Sequence, residues 1–539
     1  MKKKVFVWMT AAILAVHIIL ILFYGMQKIA FHEDEYYTYY TSAGYLGINP
    51  YGEIQETTGM QLLSHFVVLE QNRFDFSNVV DIETIDVHPP LYYLTLHFLM
   101  SCFPNQFYKW FGILLNGCYS VVSCVGIIFF IYQMDKSRYR EFLALTAGLL
   151  YAVHPAMISN VMLTRMYSMS VMWTVLYIDV FVLLMKNYLC RRGKFVLFTM
   201  GGAFVCYCAF LTHYFCLYIP FFLTLGFCVY AVIRKLFYKE KCLLRMLIYG
   251  FSLLAAIGLA ILSFPVSLYQ IFKGVDGTTA FNTLLHTDLF TMFKLFLPII
   301  NKNFFAGMMY PILGVLVLAL IVGAVLLKIR KKEKLDPAAN FAIPGIGLAV
   351  GFITVWLLSK TALFVGDDAS RYFYTAAVLM LPLIAYVICK ATLYGKDILL
   401  PAKAEKVLLP ILTLIVLFPA LMGHLQGNVL YLYRDRQEAL EFARENASYP
   451  CVMIYDQENR FKTWYTSNEI WPYEKVIFIR QQDGEETIPK SESLKEAEKL
   501  IVYMDGPEEL LDLLVEHNDH LKSWSLLRHD PYFYVYVLE

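Results

Sequence analysis

Charge is what this chain has least of. Only 17% of its 539 residues are Asp, Glu, Lys or Arg, against about 25% in soluble globular domains. The mean hydropathy is +0.53, and uncharged apolar runs of about 18 or more residues, the length a helix needs to cross the hydrocarbon layer, recur along most of the chain. A single soluble core is excluded, because it could not bury that many fully apolar segments. No small-x-small cleavage site follows the opening MKKKVFVWMTAAILAVHIILILFYGM. That stretch therefore reads as a retained first helix rather than a removed signal, with Lys2, Lys3 and Lys4 holding the N-terminus in the cytoplasm. The eleven cysteines form no CxxC pair and lie mostly inside apolar runs, as Cys118, Cys206, Cys228 and Cys389 do, with Cys451 standing alone in the tail. They read as small packing residues, so no disulfide framework is implied. There is no glycine-rich phosphate loop, internal repeat or low-complexity segment, hence no reason to expect a nucleotide, and no nucleic-acid partner is expected.

What is present is a polytopic membrane chain. The run HPPLYYLTLHFLMSCF, His88 to Phe103, is about 15 residues long and opens on two prolines, so it reads as a partly sunken surface helix. With that parity, Lys136/Arg138/Arg140, Arg191/Arg192/Lys194, Arg234/Lys235/Lys239/Lys241, Lys328 to Lys334 and Lys396/Lys403/Lys406 all face the cytoplasm, as the positive-inside rule requires. About eleven spans result, near 5–27, 107–132, 141–160, 167–188, 195–212, 214–233, 246–267, 305–327, 341–359, 372–389 and 407–424. The expected architecture is an all-α polytopic membrane domain, 1–424, followed by a small extracytoplasmic α/β domain, 425–539. The outer loop 28–106 carries surface helices, one suggested by Gly59 to Leu69 and another, in the second large loop, by Leu284 to Ile300. Residues 28–87 have a net charge of −8 and the tail −10, so the remainder of a chain that totals +1 must be +19. In the tail, CVMIYD, KVIFI and KLIVYMD are strand-like, SLKEAEK and PEELLDLLVEHN helix-like, and WSLLRHDPYFYVYVLE reads as a final strand pair.

This topology gathers five polar, aromatic-rich clusters onto one membrane face. They are FHEDEYYTYY from Phe31, DVHPPLYY from Asp86, TRMYS from Thr164, THYF from Thr212 and DDASRYFY from Asp367. Each alone has a plain structural explanation as a solvated helix end, a helix start, a snorkelling anchor or an aromatic belt. Their joint occurrence is what a single active site at the water–lipid boundary needs. Arginine forks suit phosphate oxygens, and Arg165 and Arg371 stand at headgroup depth. A carboxylate such as Asp34 or Glu35 could take the proton from an acceptor hydroxyl. His88, His213, Tyr167, Tyr214 and Tyr372 would supply hydrogen bonds to a sugar or phosphate. A divalent cation held by Asp34 and Glu35 is possible but not required.

HEDEYYTY after the first helix, DVHPPLYYLTLH, TRMYSM, LTHYF and SRYFY, in this order, resemble bacterial integral membrane glycosyltransferases of the GT-C class. The likeness is to the protein O-mannosyltransferase and lipid A aminoarabinose transferase relatives, the glycosyltransferase 39/83-like group, and covers about residues 1–390. The resemblance implies an inverting transferase that uses a polyprenyl-phosphate-linked sugar donor at the outer face of the lipid bilayer. It maps the family's acidic pair onto Asp34 and Glu35, with Asp34 the implied base, its outer-face arginine onto Arg165, and its late arginine–tyrosine onto Arg371 and Tyr372. Glu33 makes the pair a triple-acid cluster here, which leaves open which carboxylate acts. The acceptor, whether glycan, lipid or protein, is not written in these motifs. The rival reading is a secondary transporter or flippase, which would need ionisable groups near the midplane; only Asp179 lies deep in a span.

Overall fold

The computed structural model of the chain describes residues 3–45, 55–187, 192–239, 243–288, 290–329, 343–530 and 532–539. Lys2, Glu53, Arg191, Lys241, Arg330, Lys331, Lys332 and Lys334 of the expected charge pattern lie outside the described residues. Among the described residues nine helices are long and apolar enough to cross a membrane, and eleven if each of two bent pairs counts as one span. The protein is thus a multi-pass membrane protein with a small sheet-containing tail, as its sequence implies. The helix Leu91–Ser101 has 11 residues, roughly 16 Å at 1.5 Å per residue, about half the hydrocarbon thickness; it does not span. In the second large loop a helix forms over Thr291–Phe305 rather than Leu284–Ile300. The shift has a local cause: Asp288 Oδ2 accepts from the backbone N–H groups of Phe290 and Thr291 and so starts the helix there.

The chain divides into two compact units. The first comprises Met1–Met26, Asp86–Tyr92 and Gly112–Leu430 and holds the membrane helices. Its organising feature is the expected span 141–160, which is two helices, Arg140–Val153 and Pro155–Met162, bent by 49°. Pro155 has no N–H, so the ladder breaks at this point. The next two amides turn to His154, Ala156 N to its Nδ1 at 3.2 Å and Met157 N to its carbonyl at 3.0 Å. The Ala152 and Val153 carbonyls are then left without a helical donor. His17 Nδ1 reaches the first at 2.7 Å and His424 Nε2 the second at 2.7 Å. Because a carbonyl only accepts, both nitrogens carry the proton, and the opposite nitrogens accept from Ser120 Oγ (2.8 Å) and the Tyr24 hydroxyl (2.7 Å). His154 completes the set by donating from Nε2 to the Phe304 carbonyl at 3.1 Å.

The second unit comprises Gln27–Ile85, Tyr93–Phe111 and Tyr431–Glu539. Its six-stranded sheet has the order β1-β3-β2-β4-β6-β5, where β1 is Glu56–Thr57, β2 Cys451–Tyr455, β3 Val476–Arg480, β4 Leu500–Met504, β5 Trp524–His529 and β6 Tyr534–Leu538. The central strands β3, β2 and β4 are parallel, with Val452 opposite both Ile477 and Val502. Every residue of β2 and β4 is buried, as expected for strands covered on both faces. β5 and β6 pair antiparallel, as the final strand pair predicts. β1, from the first loop, closes the other edge antiparallel to β3.

Replacing His17 with Phe keeps the ring volume but leaves the Ala152 carbonyl without its donor. In lipid this should cost about 1–3 kcal/mol, read as a lowered unfolding temperature of the detergent-solubilised protein; an unchanged midpoint would remove His17 from this role.

Candidate functional site

Seven of the nine expected site residues belong to the membrane unit, and there they form one network. Arg165 sits in the short turn between Pro155–Met162 and Tyr167–Asn187, where its N–H closes on the Leu163 carbonyl at 2.7 Å. Two neighbours hold that turn. Asn116 donates to the Leu163 carbonyl at 2.7 Å and the Val161 carbonyl at 3.3 Å, while its Oδ1 accepts from the Tyr92 hydroxyl at 3.0 Å. Gly112 lies so close that a Cβ there would stand 2.1 Å from Thr164 Oγ1. One amide thus ties the Arg165 turn to the Asp86–Tyr92 segment.

That segment brings Asp86 and His88, whose Oδ2 and Nδ1 are 3.6 Å apart. The His88 ring lies 5.7 Å from His213, and His213 lies 5.6 Å from Tyr167. Tyr167 meets Tyr372 edge-on at 6.3 Å. The Arg371 guanidinium packs over Phe364 at 4.9 Å, Tyr372 at 5.6 Å and Tyr167 at 5.8 Å. Tyr214 donates to Gln270 Oε1, and Gln270 Nε2 donates to the Asp86 carbonyl at 2.7 Å. Behind Arg371, its helical turn Asp367–Phe373 is anchored by Lys302 to Asp367 at 2.6 Å and Asn303 to Ser370 at 2.7 Å. Arg165, His213 and Arg371 are each at most 8% exposed.

The electrostatics of this network are positive. Burial, followed by His88, Arg165 and Arg371, holds His213 well below the ordinary imidazole range. Burial pushes the Asp86 carboxyl up, but the hydrogen bond with His88 and the proximity of His88 and Arg165 outweigh it and leave it below the usual carboxylate range. Asp86, Asn116 and Gln270 complete the network beyond the expected residues. Asp86 begins the DVHPPLYY motif, so its signal was visible; an amide alone within an apolar helix, like Asn116 or Gln270, looks like any tolerated polar residue.

Asp34 and Glu35 belong to the other unit, in the helix Glu33–Ala43. The three adjacent acids there have three different environments. Glu35 is fully buried; its Oε2 accepts from Lys28 Nζ at 2.8 Å and from the His32 N–H at 2.8 Å, the latter closing a capping box. Lys28 is equally buried and also donates to the Tyr431 carbonyl at 2.9 Å. Glu33 hydrogen-bonds the Tyr465 hydroxyl, and burial together with that carboxylate holds Tyr465 well above the ordinary phenol range. Asp34 is partly exposed, 23% for its side chain, with Oδ2 3.5 Å from His32 Nδ1. Lys28 already supplies the positive charge at Glu35. Among the described residues no group of three or more His, Cys, Asp or Glu side chains is arranged to hold a metal ion.

No family model matches the chain, and no curated protein matches it by sequence. A solved structure does: ArnT from Cupriavidus metallidurans bound to undecaprenyl phosphate aligns with a TM-score of 0.52 and 11% identity, over 98% of this chain and 97% of its own. The chain has the ArnT fold. The Archaeoglobus fulgidus oligosaccharyltransferase in its apo form aligns with a TM-score of 0.49 and 10% identity, over 97% of this chain and 70% of its own. The likeness to ArnT runs the full length, so it takes in both the membrane helices and the sheet of the tail. It therefore agrees with the fold that HEDEYYTY, DVHPPLYYLTLH and SRYFY imply.

Two outcomes follow from these environments. Replacing Lys28 with Met leaves Glu35 as a buried charge without its ammonium and should cost about 3–5 kcal/mol in unfolding measurements, much of it recovered when Glu35 is changed to Leu as well. His213 is harder to protonate in the folded protein than in the unfolded chain, whose histidines titrate near about 6.5. Acidification through that value therefore favours the unfolded chain. The drop in unfolding temperature between pH 7.5 and pH 5 should be smaller in His213→Gln. Asp86 acts only at lower pH, because its folded value lies below the ordinary carboxylate range.

Proposed function

We propose that the protein is an inverting glycosyltransferase that moves a sugar from a polyprenyl-phosphate-linked donor to an acceptor hydroxyl at the outer face of the membrane. The observation that carries this reading is the positive network of Arg165, Arg371, His88 and His213 among Tyr167, Tyr214 and Tyr372. Two largely buried guanidiniums, one of them, Arg371, packed on aromatic faces, suit an anionic phosphate and the sugar attached to it. The ArnT fold supports the same donor class, since that ArnT structure holds undecaprenyl phosphate.

In this reading Asp34 is the base. Glu35 is neutralised by Lys28 and Glu33 is bonded to Tyr465, whereas Asp34 stands beside an imidazole. Asp34 takes the proton of the acceptor hydroxyl, whose oxygen forms a bond to the anomeric carbon as the bond from that carbon to the phosphate oxygen breaks. The electron pair leaves with the polyprenyl phosphate, where Arg165 and Arg371 stabilise the growing negative charge. Attack opposite the leaving group inverts the anomeric configuration. His88, His213, Tyr214 and Tyr372 orient the donor. The N-terminus lies in the cytoplasm and the tail outside, in keeping with the net −8 and −10 of residues 28–87 and the tail.

Transfer from a radiolabelled polyprenyl-phosphate sugar should fall about 10²–10⁴-fold in Asp34→Asn and about 10²–10³-fold in Arg165→Ala or Arg371→Ala, with membrane insertion preserved. Full activity of Asp34→Asn would sink the assignment of the base. Lysine at either arginine position should restore only part of the rate, because it lacks the planar fork. Mass spectrometry of cell-envelope glycans with and without the gene identifies the acceptor.

A further inference from the structure

Three tyrosines of the tail gather at the start of the acidic helix Glu33–Ala43, and all of these residues belong to the second unit. Tyr465 lies in the helical turns Gln457–Thr466 that follow β2, and its hydroxyl bonds both Glu33 and the Tyr532 hydroxyl. The Tyr465 and Tyr532 rings stack with centroids 4.0 Å apart and planes 31° from parallel. Tyr465 also stands edge-on to the His32 ring at 6.4 Å, and Tyr433 lies 6.4 Å from the same imidazole. His32 is in turn the neighbour of Asp34, with Nδ1 3.5 Å from Oδ2. Tyr433, Tyr465 and Tyr532 are each half-buried. Among the described residues Tyr465 is the one ring packed on Tyr532.

These rings are held from behind by features that packing alone does not require. Tyr532 lies in the hairpin between β5 and β6, which closes with the Asp530 N–H on the Phe533 carbonyl at 2.8 Å. Asp530 is fixed by Arg436 at 3.1 Å and Arg528 at 3.5 Å, and the same two guanidiniums meet Glu469 at 3.2 and 2.6 Å. Such a largely buried cluster is weak evidence for stability, but it fixes geometry, and what it fixes here is the hairpin that carries Tyr532. Beside His32 the backbone is strained. Tyr431 and Tyr433 have φ of 64° and 51°, the left-handed region that a Cβ disfavours. That conformation persists only where the surroundings over-determine it. It turns the Tyr431 carbonyl to Lys28 and the Tyr433 ring to His32.

We propose that Tyr465, Tyr532 and Tyr433 form a cradle for a sugar ring of the acceptor, which makes the acceptor a carbohydrate. The proposal rests on the reading of Asp34 as the base. A sugar ring presents a face of C–H bonds, slightly positive, and a rim of hydroxyls. The C–H face stacks on the negative face of a tyrosine ring, while the rim meets Glu33 and the phenol hydroxyls. Tyrosine offers this contact with little torsional freedom to lose. The stacked ring then brings one rim hydroxyl to Asp34. A serine side chain has no such face, and an acyl chain would set hydrocarbon against a carboxylate and two phenol hydroxyls.

The test is saturation-transfer NMR on the full chain in a detergent without a sugar headgroup. The probes are methyl mannoside, methyl glucoside and methyl N-acetylglucosaminide, with a serine tripeptide and a monoacylglycerol for the rival acceptor classes. At least one glycoside should show saturation of its ring C–H protons. Its Kd should rise about three- to tenfold in Tyr532→Ala and change little in Tyr532→Phe, which keeps the ring. Should Tyr532→Ala not fold, Tyr532→Leu fills the space without an aromatic face and should show the same loss. Asp34→Asn should bind the glycoside as the unaltered protein does, so the cradle and the base are read separately. Binding that is lost in Tyr532→Ala supports the cradle even if Asp34→Asn still transfers sugar. Saturation of the tripeptide or monoacylglycerol with none of any glycoside would overturn the proposal, as would a folded Tyr532→Ala or Tyr532→Leu with unchanged glycoside Kd.

Discussion

The membrane unit depends on a proline that cannot donate. Pro155 frees the Ala152 and Val153 carbonyls in a setting where no bulk water can take their place, and an unsatisfied backbone group there costs several kcal/mol. The donors that answer them are His17, from the first membrane helix, and His424, from the last. Both imidazoles are fixed in one tautomer by the carbonyl they meet. A local defect thereby becomes a long-range joint, since it determines which faces of two distant helices must point inward. Gly423 belongs to the same joint, because a Cβ there would stand 2.9 Å from the Pro155 ring. The chain emerging from this bend runs through Leu163 into Arg165, so the direction of the candidate phosphate ligand is set by how the proline was accommodated.

The acidic knot HEDE follows a comparable logic in the other unit. A buried carboxylate is tolerable only when paired and hydrogen-bonded, and Glu35 meets both conditions through Lys28 and the His32 amide. That pair sits at the start of the helix Glu33–Ala43, where a negative group also complements the helix dipole. Its effect is to fix the first turn of the helix and with it the position of Asp34. Three adjacent acids thus divide their labour: Glu35 secures the helix, Glu33 bonds a tyrosine, and Asp34 stands beside the His32 ring.

The spans and the tail strands were legible because their signals are local. An apolar run of span length has few alternatives in lipid, and CVMIYD, KVIFI and KLIVYMD became β2, β3 and β4. The five motif clusters were legible as types of residue at one kind of position, and seven of the nine residues singled out from them do form one network. What remained hidden depends on partners far along the chain. The bend at Pro155 could be suspected from the proline, but not its repair by His17 and His424. The two-residue strand Glu56–Thr57 pairs by backbone alone and has no side-chain signature. Asn116 and Gln270 look like isolated polar residues until the carbonyls they serve are brought to them. The fates of Glu33 and Glu35 turn on Tyr465 and Lys28, and no spacing rule links a carboxylate to a tyrosine in a different part of the chain.

The arginine network is hard to explain as a stabilising device. Taking two guanidiniums largely out of water carries a desolvation cost of several kcal/mol per ion before compensation, and well-packed apolar side chains would serve a membrane protein's interior better. His213 reports the consequence, because Arg165 and Arg371 both add to the burial that keeps its ring unprotonated. A neutral imidazole can donate with one nitrogen and accept with the other, whereas a protonated one would only repel its neighbours further. The positive field therefore does two things at once: it favours an anion near the arginines and it keeps the histidine in the form that can hydrogen-bond an uncharged hydroxyl. A site with those two properties side by side can hold an anion next to an uncharged hydroxyl group.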